Sequence, residues 1–380
     1  MPFSFVYKKN FSKFIIIENN DSSVFFKILK LNKDFFFLYC PESKIIYYNS
    51  SVFINIVKVI FSIFKYKNNY KLSFFNFVYT LALFITAKPE LVMTYNDDSK
   101  IFFTLINNFK KIKFVSIQNG HRLPGQYKNR SFTADYYFSW GNLEKKQFKK
   151  FNIKYKKLIP IGSIAAAYYL EKFKNSKIKY DICLIETSRH LPKFFKNHLK
   201  KNELKNNLSL YYEYERIFYE NLRIFLNKYK YKLVIALRGS KKDITSNNFN
   251  LLKSYFGDRV IYKETKQPQD VYRVVSESRL IIGFISSVIR ESLAYDKKIL
   301  FIDYVNNKYL NNIIKSIFLF TLKKNNFINF EKKLVKLIKT PSKNYKKIIN
   351  KYKKLIMNIN NKVPIDKIFK KKLKEIIYKY

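Results

Sequence analysis

Short apolar runs alternate along the chain with longer stretches whose apolar positions recur every three or four residues. That is the pattern of buried strands interleaved with amphipathic helices. In the first half, residues 14–18, 35–39, 45–48, 91–95, 114–117, 135–139 and 158–161 read as strands. Residues 52–64, 74–87, 99–109 and 142–151 read as helices. Lys88-Pro89-Glu90 closes the second of these, because proline disfavours helical geometry in the residue before it.

After a polar, charged stretch at 172–179 the alternation starts again. Strands are expected at 180–186, 233–237, 259–262, 280–284 and 299–302, and helices at 208–227, 245–256 and 270–276, with a short one between 286 and 296. Beyond Tyr304 the pattern turns helical and basic, at 330–339, 345–357 and 365–378. Two α/β halves of similar size imply two doubly wound, Rossmann-like sheets facing each other across a cleft. The expected domains are 1–170, 171–342, and a set of terminal helices at 343–380 that pack back on the first domain.

Composition adds one strong feature. Lys and Arg number 74 against 27 Asp and Glu, a formal charge of +47. Such an excess attracts polyanions and anionic membrane surfaces. The chain is also heavy in Lys, Asn, Ile, Phe and Tyr and poor in Gly, Ala and Trp, as AT-rich coding produces. Most of the lysine excess follows from that bias, so only the arginines are read by position. Most Phe and Tyr fall within apolar runs, as core residues do, and no specific nucleic-acid partner is expected. The basic terminal helices either present a solvated lysine face or touch a membrane. Cys40 and Cys183 both lie in apolar runs, which gives no disulfide framework and points to a reducing compartment. With no signal-peptide pattern and no apolar run long enough to span a bilayer, a cytoplasmic location is expected, with peripheral contact on the inner face of the plasma membrane.

Candidate chemistry concentrates between Ser278 and Tyr304. An apolar strand leads into Ser286-Ser287, then Arg290-Glu291, a short helix stopped at Asp296, and a second strand. Exposed amides and serine hydroxyls can donate to a diphosphate, and a carboxylate can accept from both hydroxyls of a ribose. Serine at a helix start and glutamate in its first turn serve equally well as a cap and a dipole partner. Arg238-Gly239-Ser240, just past another strand, suits a phosphate, since arginine carries the charge and glycine lets the backbone approach. Arg189 and His190 follow the strand at 180–186 and are further phosphate candidates.

The stretch Arg279 to Tyr304 resembles the C-terminal domain of GT-B glycosyltransferases, particularly bacterial transferases of capsule- and lipopolysaccharide-type surface carbohydrate. The likeness extends more loosely over 180–304 and 114–163. The helix stop, often glycine in such enzymes, is Asp296 here, a residue that can visit left-handed geometry. The resemblance implies that Glu291 holds the ribose of a nucleotide-sugar donor and that the loop before it holds the phosphate. It also implies a polysaccharide or lipid-linked acceptor and direct transfer without metal or cofactor. Arg290 is counted with Ser286, Ser287, Glu291 and Arg238-Gly239-Ser240 among the donor-binding candidates.

In the first half, Gln118-Asn119-Gly120 ends a strand and delivers His121 and Arg122. The turn is similar to one that lies near the acceptor in several GT-B-like polymer transferases. Imidazole has the pKa for general-base work near neutral pH, while Asn-Gly is also simply a strong turn former. Glu90, Asp97, Asp98 and Asp135 are acidic alternatives for the base. Glu213 and Glu215 form the one Glu-x-Glu, in a helical stretch where residues two apart do not share a face, so no metal-diphosphate site is indicated. Walker, dinucleotide-fingerprint, nucleophile-elbow and zinc patterns are absent. The expected activity is glycosyl transfer. The alternatives are a nucleotide-sugar epimerase of the same fold, which needs paired carboxylates the sequence does not single out, and a non-enzymatic polyanion- or nucleic-acid-binding protein.

Overall fold

The computed structural model describes residues 4–18, 28–31, 36–39, 45–69, 71–97, 99–122, 134–186, 201–238, 246–284, 286–304, 320–359 and 363–378. The chain divides into two compact units, Met1–Asn119 with Arg130–Ala165 and Asn360–Tyr380, and Gly120–Asn129 with Ala166–Ile359.

In the first unit the strands are β1 (Ser4–Tyr7), β2 (Phe14–Ile17), β3 (Phe37–Tyr39), β4 (Ile45–Tyr48), β5 (Leu91–Thr94), β6 (Lys113–Ile117), β7 (Ala134–Ser139) and β8 (Tyr155–Pro160). Six of them form one sheet in the order β3-β2-β5-β6-β7-β8, parallel at every pairing. Its central strands are apolar without alternation, because helices cover both faces of a parallel sheet. Ile15, Ile16, Ile17, Val92, Met93 and Val115 are all fully buried. β1 and β4 pair separately. The helix Phe74–Ala87 starts on the Ser73 hydroxyl, which accepts from the Asn76 amide, and stops where Lys88 turns left-handed at φ 45° ahead of Pro89.

In the second unit β9 (Tyr180–Ile185), β10 (Leu233–Arg238), β11 (Ile261–Thr265), β12 (Ser278–Gly283), β13 (Lys298–Ile302) and β14 (Thr321–Leu322) form another parallel sheet. Its order is β11-β10-β9-β12-β13-β14. Counted from the first strand of the unit, that is the 3-2-1-4-5-6 order of dinucleotide-binding sheets. The order reverses between β9 and β12, so the carboxyl ends of those two strands flank the place where such sheets bind ligands.

The basic terminal helices do not act as one group. Ser342–Ile356 belongs to the second unit, where the Tyr345 hydroxyl accepts from the Ile299 amide and donates to the Lys297 carbonyl. Ile365–Tyr378 belongs to the first, with Phe369 against Phe138 and the Lys113 ammonium donating to the Ile376 and Ile377 carbonyls. Each helix follows the core that accepts its apolar stripe. Tyr345, Ile349 and Ile356 are buried in one, and Phe369, Leu373 and Ile376 in the other. Both stripes are spent on packing, which leaves the lysines outside. Among the described residues no helix is long and apolar enough to cross a bilayer.

Candidate functional site

Gly283 ends β12 at the switch point, with β9 as its neighbour. A Cβ added there would lie 2.9 Å from the Ile185 carbonyl oxygen and 3.0 Å from the Ile289 side chain. Glycine is required because a strand end and a helix approach the same spot. Gly283→Ala is therefore expected to cost about 1–3 kcal/mol through overpacking, read as a lower urea midpoint. An unchanged midpoint would show that the strand end shifts freely.

Beyond Gly283, Ser286 is the N-cap of the helix Ser287–Ser292, its hydroxyl accepting from the Val288 amide at 3.3 Å. Ser287 does something the sequence does not show. Its hydroxyl accepts from the backbone amide of His121 at 2.8 Å. A Cβ on Gly120 would lie 3.4 Å from the same oxygen, an ordinary contact. The second unit thus brings together His121 and Arg122 with Ser286 and Ser287. Gln118 is held instead in the first unit, where its side chain accepts from the Trp140 amide and donates to Glu144.

The His121 ring lies 6.4 Å from that of Phe301 on β13, and its buried Nδ1 makes no hydrogen bond among the described residues. Burial first, then the charges of Arg290 and Arg122, hold its pKa well below the usual histidine value. The ring is neutral at neutral pH and a poorer proton acceptor than an ordinary histidine. The same repulsion marks the spot as one where an anion is favoured.

Glu291 is buried, and one of its carboxylate oxygens accepts from the Tyr272 hydroxyl at 2.9 Å. Tyr272 in turn stacks on Tyr169, with ring centroids 5.2 Å apart and planes 14° from parallel. Arg290 is completely buried, and its Nε and Nη2 donate to the Ile356 carbonyl at 3.0 and 2.6 Å. Its charge also bears on His121. Asp296 stops the helix in left-handed geometry at φ 60° and ψ 16°, with Lys346 and Lys353 on its carboxylate.

Arg238 closes β10, and its side chain lies outside the described residues, as do Gly239, Ser240, Arg189, His190 and Asp98. Of the acidic alternatives, Glu90 and Asp135 sit at the amino ends of β5 and β7, paired with Lys13 and Lys156, on the wrong edge of their sheet for a ligand. Asp97 is at the carboxyl edge and buried, taking a 2.6 Å hydrogen bond from the Tyr137 hydroxyl, while Ser99 caps the helix that follows.

Sequence reasoning missed a pair of carboxyls. Glu186 directly follows β9 at the switch point, and Glu215 lies on the helix Lys201–Tyr229; both are buried. Burial, reinforced by the nearby Glu186 charge, raises the Glu215 carboxyl to about 8 despite a 2.9 Å hydrogen bond from Tyr219. Glu213 is exposed on the opposite side, so the Glu-x-Glu spacing is incidental. Only the position of Glu186 after a strand could have flagged the pair.

No family model and no curated protein sequence matches the chain. Solved structures do. A Listeria monocytogenes protein assigned as a UDP-N-acetylglucosamine 2-epimerase aligns over 100% of this chain and 98% of its own, with 12% identity and a TM-score of 0.58. The Neisseria meningitidis UDP-GlcNAc 2-epimerase, solved with UDP-GlcNAc, aligns over 95% and 98%, with 15% identity and a TM-score of 0.55. A UDP-forming trehalose-phosphate synthase from Burkholderia xenovorans aligns over 96% and 99%, with 10% identity and a TM-score of 0.51. What is shared at these identities is the architecture: the chain has an α/β fold of GT-B type, built from two Rossmann-like units with parallel sheets.

Proposed function

We propose that this chain binds a nucleotide-activated sugar on its second unit and isomerises the sugar, with transfer to an acceptor as the second reading. The observation that carries the proposal is the hydrogen bond from the His121 amide to Ser287. It joins two segments, each suggestive on its own chemistry, in the unit whose strand order creates a nucleotide-type switch point. Arg122 and Arg290 supply positive potential for a diphosphate. A bound diphosphate would offset those two charges and so relieve the smaller part of the His121 depression, the larger part being burial.

Isomerisation at a sugar carbon needs one group to remove a proton and another to deliver one. Glu186 and Glu215 meet that need in principle, since Glu215 keeps its proton at neutral pH beside a second carboxyl. The likeness to UDP-GlcNAc 2-epimerases supports this chemistry over the surface-polysaccharide transfer expected from sequence. The likeness to a UDP-forming synthase is what favours transfer.

Incubating the chain with UDP-GlcNAc alone and following the sugar by proton NMR is expected to show the epimer at C2. Release of UDP only after an acceptor saccharide is added would instead establish transfer. Ser287→Ala is expected to weaken UDP binding up to about ten-fold, from a hydrogen bond worth roughly 0.5–1.5 kcal/mol. Calorimetry showing that neither UDP nor UDP-GlcNAc binds would remove both readings.

A further inference from the structure

The helix Ser50–Phe61 in the first unit buries only Val52 and Val59. Its large apolar side chains face outward instead: Phe53 is 69% exposed, Val57 42% and Phe61 85%. The single turn Ile63–Lys65 adds Phe64 at 99%, and the start of the next helix adds Phe74 at 63% and Phe75 at 50%. Single exposed apolar residues are ordinary. Here Phe53, Val57 and Phe61 follow at steps of four and form one stripe along the helix, and Phe64 on the turn just beyond extends the exposed aromatic surface. A contiguous stripe of this kind marks an interaction surface.

Charge identifies what the surface meets. Lys58, Lys65, Lys67 and Lys71 are exposed around the stripe. No Asp or Glu occurs between Glu42 and Glu90. An apolar centre with a purely cationic rim complements a bilayer carrying anionic headgroups: the aromatic rings enter the acyl boundary and the lysines lie at the phosphates. A second copy of the chain fits poorly, because a two-fold contact would set the same lysines against each other with no carboxylate between them.

We propose that the face formed by Ser50–Phe61 and Phe64 docks this protein on an anionic lipid surface. The main apolar stripes of Ser342–Ile356 and Ile365–Tyr378 are instead buried in packing. The proposal stands independently of what the second unit binds.

The test is sedimentation with vesicles of phosphatidylcholine alone and of phosphatidylcholine containing about one third phosphatidylglycerol. Binding is expected to the anionic vesicles, and Phe61→Ser with Phe64→Ser is expected to reduce the partition constant about ten-fold or more. Both side chains are exposed, so circular dichroism of the double variant should be unchanged. In a second arm, Phe64→Trp adds an indole to the buried Trp140, and lipids brominated on the acyl chain are expected to quench it. Failure to bind anionic vesicles overturns the proposal. So does binding that is insensitive to the serine variants and leaves the new indole unquenched, which would be adsorption by net charge through another face. Self-association without lipid that the serine variants abolish would assign the face to a second copy and equally overturn it.

Discussion

Replacing Arg290 by alanine is expected to destabilise the second unit by about 3–5 kcal/mol, through the volume removed from the core and the loss of charge-assisted hydrogen bonds. The guanidinium is fully buried, and both of its hydrogen bonds to Ile356 tie the helix after β12 to the last carbonyl of Ser342–Ile356. A cation at that helix end also opposes the negative end of the helix dipole. Arg290→Met keeps most of the volume and should cost less, and the gap between the two variants measures packing. Arg290→Met should also move the His121 titration upward, since one of the two guanidinium charges depressing it is gone. Urea denaturation and the imidazole proton resonances provide the two readouts. If Arg290→Met left stability intact and abolished nucleotide binding, the residue would be a ligand contact, as the sequence pattern suggests, and the anchoring role would be wrong.

Glu215→Gln is expected to stabilise the folded chain at pH 8 and above and to flatten its pH dependence below that. Burial raises the carboxyl from the ordinary carboxylate range to about 8 in the folded state. At low pH both states hold the proton and the group contributes no difference. Between about 4.5 and 8 the unfolded chain releases it while the folded chain retains it, so stability falls as pH rises. At about 1.4 kcal/mol for each unit of displacement, the full loss is several kcal/mol. His121 slopes the other way, because its depressed folded value costs stability as pH falls below the ordinary histidine range. Lys297, lowered by burial to about 8, also slopes the other way and acts above that pH. Among the described groups whose folded value is given, the window from about 6.5 to 8 therefore belongs to Glu215. Urea midpoints across it should decline for the native chain and stay level for Glu215→Gln. A native midpoint that rises with pH there would refute the buried, protonated carboxyl. If Glu215→Gln also abolished turnover of UDP-GlcNAc while leaving UDP affinity unchanged, the carboxyl would be placed in the chemistry.

Most elements were legible from periodicity. Residues 180–186, 233–237, 280–284 and 299–302 read as buried strands and are β9, β10, β12 and β13 within a residue or two. They were legible because a strand covered on both faces needs an unbroken apolar run. The exceptions have the opposite character. β1 is exposed along its whole length and carries no buried-face signal. Ile164–Lys172 is a helix that sequence did not flag, since the polar residues that follow it hid its short apolar face, and the boundary between the two units falls within it. The site was legible only in pieces. Ser286 is the cap its position predicts, and Asp296 the stop. Ser287 bonding to an amide 166 residues away in sequence, Arg290 turned inward, and Glu186 beside Glu215 were not readable.

The amino-acid sequence by itself determined the α/β alternation and the two sheets. Each of these depends on burial repeated over neighbouring residues, which a linear pattern carries. Which side chains face one another was decided only in the tertiary structure. The partners of Ser287, Arg290 and Glu215 come from elements that meet because each buries its own apolar stripe. The proton held by Glu215 and the neutral ring of His121 arise from the enclosure that results.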